Sequence, residues 1–532
     1  MGQLIVSAAQ MRALDREVIE EVGVPGVVLM DAAGRGVAEV IASLVDAARA
    51  HVVVYAGSGN NGGDGFVAAR HLANRGARVE VIACAPEEKV SGDARIHLEA
   101  CRRSQVTILD GTTPEALAQA GAHAASAGVV VDALFGTGLG RPVTGHLASA
   151  IAQVNAHAGI KVAVDVPSGL DSDRGVPLGA CVKADHTVTF AFAKRGLVGA
   201  PGFTYAGRLH LIDIGIPERL ARARDLSCEL LDDEVLAPLA DRDPLGHKGT
   251  HGHLLVLAGS TGKTGAALLC GRAALRAGAG LVTVVAPRSA RAALDGRTPE
   301  LMTAWYGSPD PHGDQDAIDP ESAFAELEPL LSGKRALACG PGLPTSPAMR
   351  PLLAKLIEAA LGRGLALVLD ADALNHLAAA PELARSITPE ARVILTPHPG
   401  EAGRLLGIAT SEVQGDRYRC AAELAARYRA VVALKGARTV VAAPPSGSGE
   451  RLAICPTGNP GLGTGGTGDV LTGAVGALLS RGLGAFEAAT AAVYLHGAAG
   501  DRVSAERGEI GMVAGDVAEA LPFVIAERVR PR

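Results

Sequence analysis

The sequence predicts two α/β domains in series, each a mostly parallel sheet with helices on both faces. Three observations carry this. Short, mostly apolar runs recur along the chain, among them HVVVYA, GVVVDALFG, HLLVLAGS and LALVLDADALN. Strands that are apolar throughout are buried on both faces, as in parallel sheets. Between them lie Ala-rich helical segments of about 10–15 residues, the spacing of β-α-β units. The alternation then fades over IGIPERLARARDLSCELLDDEV before a second series begins, which puts a boundary near 217–230 and domains over 1–222 and 229–532.

Composition sets further bounds. At 532 residues the chain exceeds one ordinary domain. Apolar residues make up 48% and aromatics 3%, so the cores must be built from Ala, Val, Leu and Ile. The formal charge is −6 and the isoelectric point near 6.2, with no block of like charge. Neither a nucleic-acid nor a membrane-surface partner is indicated. Eight cysteines, none in a C-x-x-C pair, sit in apolar segments. Reduced, buried thiols in a cytoplasmic protein are expected. MGQLIVSAAQ lacks the basic start and apolar core of a signal peptide, and Val6 breaks the myristoylation pattern. No strongly apolar run is long enough to span a membrane.

The elements follow in order. Ser7 to Glu21 reads as a helix, with Ser7 and Gln10 as a capping box and a stripe of Met11, Leu14, Val18 and Ile19. HVVVYAGSGNNGGDGFVAARHLANRG reads as a strand, a glycine loop and a helix. In that loop Gly57, Gly59, Gly62 and Gly63 would let a ligand approach, while Asn60, Asn61 and Asp64 add polar atoms. A tight turn would account for the glycines alone, but two later strand ends add to them. VVVDALFGTGLGRP delivers Asp132 and a second glycine loop, and VAVDVPSGLDSD delivers Asp165 and Ser168. Ligands of open parallel sheets bind at the carboxyl ends of strands. Asn61, Asp132 and Ser168 offer hard oxygen ligands with one formal charge among them, which suits a monovalent cation better than zinc.

In the second series, LLVLAGSTGKTGAALL imitates a P-loop, but Leu257 stands where the first glycine is required. A glycine-rich strand-to-helix turn lining a pocket is the better reading, with Gly265 and Ala266 leaving room. GHKGTHGH gathers His247, His251 and His253 without a carboxylate or thiol and reads as a polar loop. WYGSPDPHGDQDAIDPES reads as a polar surface excursion. VILTPHPGEAGRLLG carries His398 and Glu401, and VVALKGARTVV reads as a strand, a Lys-Gly turn and a returning strand. NPGLGTGGTGDVLTG has the glycines of an anion-binding turn opening a helix, yet Asp469 places a carboxylate there. Ala-rich helices close the series around 485–525.

Residues 460–473 of NPGLGTGGTGDVLTG, with LDADALN, resemble the ribokinase-like kinases of small alcohols. In those the glycine loop neutralises the transferred phosphoryl group and the neighbouring Asp acts as base on the acceptor hydroxyl. Asp469 would then face the alcohol, beside the phosphate and outside the anion hole. HKGTHGHLLVLAGS, GPGL, TPHPGE, KGARTV and NPGLGTGGTGDVLTG, in that order, resemble the NAD(P)H-hydrate dehydratases. GSGNNGGDG, VDALFGTGLGRP and DVPSGLD resemble the NAD(P)H-hydrate epimerases. Together they resemble the bifunctional nicotinamide nucleotide repair enzymes, over nearly the whole chain.

The resemblance implies a Rossmann-like, doubly wound N-terminal domain followed by a ribokinase-like α/β domain. It implies an epimerase that interconverts the R and S hydrates of NADH and NADPH. It implies a dehydratase that phosphorylates the S form from ADP, giving AMP and phosphate, and regenerates NAD(P)H. Asn61, Asp132 and Ser168 match the potassium ligands of the epimerases. Asn60, Asn61, Gly62, Gly63 and Asp64, then Gly136, Thr137, Gly138, Leu139, Gly140, Arg141 and Pro142, match their hydrate-binding segments together with Asp165, the candidate for proton transfer. Ala266, Gly342, His398 and Asp469 match hydrate contacts of the dehydratases. Lys435, Gly436, Ala437, Arg438, Thr439 and Gly468 match the adenine-nucleotide site. A magnesium ion would accompany ADP, and Glu401 falls where related kinases help hold it. A cytoplasmic homo-oligomer is expected. The alternative is a vitamin-precursor kinase with a non-catalytic N-terminal binding module, which would leave GSGNNGGDG and DVPSGLD without a role.

Overall fold

The computed structural model describes residues 2–529, apart from 225, 227, 241, 243, 309–317 and 447–448. The middle of the expected polar excursion and two positions of the expected boundary segment thus lie outside the described residues. The chain forms two compact units, Leu4–Leu226 and Ser227–Arg532 with Met1–Gln3.

The N-terminal unit is built on β1 (Gln3–Val6), β2 (His51–Ala56), β3 (Arg78–Ala83), β4 (Thr107–Asp110), β5 (Val129–Ala133), β6 (Ile160–Val164), β7 (His186–Phe190), β8 (Ala193–Lys194) and β9 (Arg208–Ile212). Seven strands form a sheet in the order β4-β3-β2-β5-β6-β7-β9, and every neighbouring pair is parallel. Burial follows the strand period of two. Val52, Val54 and Ala56 of β2 enter one core with the helices Gly26–Leu44 and Asn60–Asn74, while Val53 and Tyr55 enter a second core on the other face. Both faces being covered is why these strands carry no polar alternation.

The first helix spans Ala8–Glu17 with both bonds of the Ser7/Gln10 capping box, then loosens into a π turn over Val18–Val22 that ends at Gly23. Met11, Leu14 and Val18 are buried as the stripe predicts. Ile19 is 42% exposed, because the wider turn rotates it off the core side.

The C-terminal unit contains β10 (Cys228–Leu230), β11 (His253–Leu257), β12 (Leu281–Pro287), β13 (Met302–Tyr306), β14 (Ala336–Cys339), β15 (Ala366–Leu369), β16 (Val393–Leu395), β17 (Val431–Leu434), β18 (Val440–Ser446) and β19 (Gly449–Ile454). Their order is β13-β12-β11-β14-β15-β16-β17-β18-β19-β10. The pairs from β13 to β17 are parallel, and β18 and β19 add antiparallel hairpins. The helices Thr467–Ser480, Ala485–Arg507 and Ala514–Arg528 pack their alanines into one large core with β11, β14 and β17. Small residues allow that close approach: a Cβ at Gly473 would collide with Cys270 O on the helix Thr264–Arg276. No helix among the described residues is long and apolar enough to cross a membrane.

Each sheet has one place where the strand order reverses. In the N-terminal unit the chain runs outward from β2 through β3 and β4, then returns to start β5 on the other side of β2. In the C-terminal unit it runs from β11 through β12 and β13, then returns to β14. A crevice opens at such a reversal because consecutive loops diverge there.

Candidate active sites

The N-terminal crevice is a cavity of about 580 Å³ between the loops that follow β2 and β5. Gly57 lets these loops touch, since a Cβ there would collide with Leu134 O. Asn60, Asn61, Asp64, Gly136, Thr137, Gly138, Leu139 and Asp165 line the cavity, as the motifs suggest. Gly140, Arg141 and Pro142 are exposed and lie beyond its lining. Gly62 and Gly63 are not in the lining either, which corrects their reading as ligand-approach positions. A Cβ at Gly62 would collide with Gly57 O, and one at Gly63 would stand 2.5 Å from Met30 Sδ, so these glycines let the helix close on its own loop and on its neighbour.

Asp165 ends β6 with a positive φ of 61°, a conformation costly for a non-glycine residue. Lys194, 1% exposed, holds it there: its Nζ lies 2.6 Å from Asp165 Oδ1 and donates to Thr189 Oγ1 at 3.0 Å and Phe190 O at 3.1 Å. Thr189 Oγ1 also donates to Asp165 Oδ1 at 3.0 Å. Asp15, on the first helix, lines the same cavity, and burial pushes its carboxyl up to about 6, with Lys194 opposing and Asp165 adding. Burial likewise raises Asp64 well above the usual range, reinforced by Asp165 and Asp15 and opposed by Lys194. Sequence reasoning missed Lys194 and Asp15. Lys194 left a signal, a lone charge ending the apolar run TVTFAFA; Asp15 left none within its helix.

Asp132 and Ser168 meet directly. Ser168 Oγ donates to Asp132 Oδ1 at 2.6 Å and Ser168 N–H to Asp132 Oδ2 at 2.7 Å. Burial raises the Asp132 carboxyl to about 6 against these bonds. Phe135 N–H donates to Ser168 Oγ at 2.8 Å, and a Cβ at the next residue, Gly136, would stand 3.1 Å from Asn61 Oδ1. Both polar atoms of the Asn61 side chain are buried without a hydrogen-bond partner. An orphaned buried amide costs about 1–3 kcal/mol, which a ligand on its oxygen would recover.

In the C-terminal unit the loops after β11, β14, β15, β16 and β17 converge. Gly342, with φ of +64°, lies against the β11 loop: a Cβ there would stand 2.9 Å from Lys263 O and 3.2 Å from Ala266 Cβ. Ser260 Oγ donates to Gly342 O at 2.8 Å, and Lys263 Nζ pairs with Asp372 Oδ2 at 3.1 Å. Asp370, 1% exposed, ends β15; Lys435 Nζ donates to its Oδ1 at 2.6 Å and Thr472 Oγ1 to its Oδ2 at 2.5 Å. A Cβ at Gly468 would stand 3.5 Å from Lys435 Nζ, so this ammonium lies beside the first turn of the helix Thr467–Ser480. Asp469, in that turn, has its carboxyl raised to about 6 by burial and by Asp370 and Asp372, with Lys435 opposing.

His398 and Glu401 form a capping box on the helix Pro399–Leu406. His398 Nδ1 accepts from Gly400 N–H at 3.0 Å, and Glu401 Oε2 accepts from His398 N–H at 2.8 Å. Burial lowers the His398 imidazole, and Glu401 opposes that shift. Glu401 Oε1 lies 3.4 Å from His398 Nε2 and Oε2 lies 3.9 Å from Lys435 Nζ. Glu401 is buried at 5% exposure beside Lys435, and its oxygens keep lone pairs beyond these contacts.

The turn Lys435–Thr439 is held from behind by Arg417, 5% exposed, which donates to Ala437 O at 2.8 Å, Leu434 O at 3.1 Å and Lys435 O at 3.2 Å. Gly436 and Arg438 take positive φ there, and Thr439 Oγ1 donates to Gly436 O at 3.0 Å. Arg417 lies in an ordinary amphipathic helix and gave no sequence signal. Asp370 did give one, as the carboxylate ending LALVLD. At GHKGTHGH the structure has a loop whose last histidine enters β11, with His253 Nε2 2.9 Å from Thr283 Oγ1.

Comparison with known proteins adds the following. A family model described as NAD(P)H-hydrate dehydratase matches residues 254–523, and one described as YjeF-related protein N-terminus matches residues 26–196. A bifunctional NAD(P)H-hydrate repair enzyme of Moorella thermoacetica is 42% identical over 526 residues, covering 98% of this chain and 96% of that one. Its Escherichia coli counterpart is 36% identical over 524 residues, covering 98% and 94%. A crystal structure of an ADP/ATP-dependent NAD(P)H-hydrate dehydratase from Bacillus subtilis, co-crystallised with ATP and Mg2+, is 32% identical with a TM-score of 0.47, covering 56% of this chain and 98% of that one.

Proposed function

This chain belongs to the bifunctional NAD(P)H-hydrate repair enzymes, and from that membership we infer a division of labour between its two crevices. The enzyme interconverts the R and S hydrates of NADH and NADPH. It dehydrates the S form at the expense of ADP, regenerating NAD(P)H with AMP and phosphate. The epimerase reaction belongs to the N-terminal crevice and the dehydratase reaction to the C-terminal one. The vitamin-precursor kinase is disfavoured, because relatives named for the two-activity enzyme match over nearly their whole length.

The observation that carries the dehydratase assignment is the position of Asp469 in the first turn of the helix Thr467–Ser480, the turn beside which the Asp370-bound Lys435 ammonium lies. The hydroxyl at carbon 6 of the S hydrate gives its proton to Asp469 as its oxygen takes the terminal phosphoryl group of ADP. The helix N-terminus and Lys435 oppose the charge of that group. The C–O bond then breaks with loss of phosphate, and loss of the ring proton at carbon 5 restores the double bond. A base works best when its pKa lies near the working pH, and Asp469 at about 6 meets this. Ala266, Gly342 and His398 would shape the ring's seat. Lys435 to Thr439 and Gly468 would receive the nucleotide, with Arg417 keeping the turn's carbonyls turned away from its phosphates. Magnesium would arrive with the nucleotide and offset the phosphate charge.

In the N-terminal crevice, Asp165 is the proton-transfer group, aimed by Lys194 and Thr189. Asn60, Asn61, Asp64 and Gly136 to Leu139 would hold the hydrate, with the exposed Arg141 reaching in from the rim. A potassium ion would fit Asn61, Asp132 and Ser168: the unpartnered Asn61 oxygen and the single carboxylate suit a large monovalent cation. It would supply positive charge for orienting the phosphate-bearing substrate. A cytoplasmic location accords with a substrate pool of reduced dinucleotides.

The test mixes the enzyme with R and S NADH hydrates, ADP, potassium and magnesium, and follows absorbance of recovered NADH. Full recovery is expected. Asp469→Asn should lose about 10²–10⁴-fold in dehydration while R and S still interconvert. Near wild-type recovery by that variant would reject Asp469 as the base.

A further inference from the structure

A second cavity of about 290 Å³ opens beside the N-terminal crevice, and the two share Gly57 and Ala85 in their linings. It lies at the carboxyl ends of β2, β3 and β4, on the side of the reversal away from Asp165. Its floor is apolar, with Phe66, Leu98 and Ile108. Its rim is polar, with Glu87, Arg102 and Asp110. Of the sequence motifs only GSGNNGGDG reaches it, through Gly57.

The substrate proposed above is a dinucleotide, and this inference rests on that reading. Its nicotinamide ring must reach Asp165, beyond β5. Its pyrophosphate suits the N-terminus of the helix Asn60–Asn74, at the β2 loop. Continuing the same line across the sheet leads under β3 and β4. We propose that this second cavity receives the adenosine half, with the purine on the apolar floor and the ribose hydroxyls on Glu87 and Asp110.

The charges of the rim discriminate between the two hydrates. A 2′-phosphate needs cations with capacity to spare. Arg102 of the rim is already matched, as is Arg95, which lies outside the lining but shares its carboxylates. Glu87 takes Arg102 at 2.6 Å and Arg95 at 2.9 Å, and Glu99 takes Arg95 at 2.8 Å and Arg102 at 3.3 Å. Asp110 accepts Thr112 N–H at 2.9 Å, and hydrogen bonds hold both Asp110 and Glu87 below the usual carboxylate range. Ionised carboxylates accept from hydroxyls and repel phosphate. The rim therefore favours a free 2′-hydroxyl, as in the NADH hydrate, over the phosphorylated form.

The test measures kcat/KM for R-to-S conversion of NADH hydrate and NADPH hydrate by the full chain without ADP, so that dehydration is silent. The wild type should favour NADH hydrate by about tenfold or more, the discrimination one mismatched polar group gives. Glu87→Gln leaves Arg95 and Arg102 short of a partner and should move the ratio toward NADPH hydrate. Asp110→Asn should move it the same way. The ratio is internal to each variant, so a folding defect lowers both rates and leaves it in place. A wild type that treats both hydrates equally or favours NADPH hydrate overturns the subsite, as does a ratio unmoved by both substitutions. A wild type that interconverts neither hydrate would instead overturn the epimerase reading.

Discussion

Asp370→Asn isolates the electrostatics of the dehydratase crevice, because Asp370 is buried behind the proposed ligands. Its carboxylate holds Lys435 at 2.6 Å and accepts from Thr472. It is also the largest contributor after burial to the raised Asp469 carboxyl. Removing that negative charge acts twice in one direction. Asp469 loses a repelling neighbour, and Lys435, released from its partner, attracts Asp469 more strongly. Both make Asp469 easier to ionise. One nearby charge commonly moves a pKa by about one unit or more.

The base must be ionised to act, so activity rises with pH through its pKa. In the wild type the acid limb of kcat should lie near 6. In Asp370→Asn it should fall by about one unit. Stability should drop by about 3 kcal/mol, the low end for removing one member of a buried pair, since Glu401 remains 3.9 Å from Lys435. The assay is dehydration of pure S hydrate at saturating ADP from pH 5 to 8, alongside urea unfolding. An acid limb that stays in place or moves upward would refute the assignment of Asp469 as the titrating base.

Two further outcomes are expected. Asp132→Ala should remove the anionic member of the proposed cation site and slow R-to-S conversion, while dehydration of pure S hydrate continues; equal epimerisation in potassium, in sodium and without either would reject the cation. Fragments 1–222 and 229–532 should fold separately, since each retains the core of one compact unit. The first should interconvert hydrates without nucleotide and the second should consume only the S form; a folded second fragment consuming both forms at equal rates would misplace the division.

Much of this was legible because burial on both faces leaves a repeated apolar signature. The β2 run HVVVYA carries its three consecutive valines between two covered faces, and its alternate members enter different cores. The glycine loops were legible as turns, but not in which direction each glycine gives room. Gly136 faces Asn61, whereas Gly62 and Gly63 give way to the protein itself. A missing side chain looks the same in sequence whether a ligand or a neighbouring helix takes the space. Arg417 and Asp15 gave no signal, and Lys194 gave only a lone charge without its role, for a related reason. Their roles come from partners brought together by the fold: Lys194 meets Asp165 29 positions away, and Arg417 meets carbonyls 17 to 20 positions away.

The two crevices share one electrostatic device and use it differently. Each buries a lysine against an aspartate at 2.6 Å and surrounds the pair with carboxyls that burial pushes upward. In the C-terminal crevice the lysine-bound Asp370 is buried, and the raised Asp469 is the proposed base. One acceptor suffices there, because loss of phosphate makes the reaction run one way. In the N-terminal crevice the lysine-bound Asp165 is itself the candidate group, and Asp15 and Asp64 are the raised ones. Epimerisation must run in both directions, so each proton taken up has to be given back. A crevice in which burial pushes the Asp15 and Asp64 carboxyls upward places groups able to hold a proton beside the candidate group, which suits that requirement.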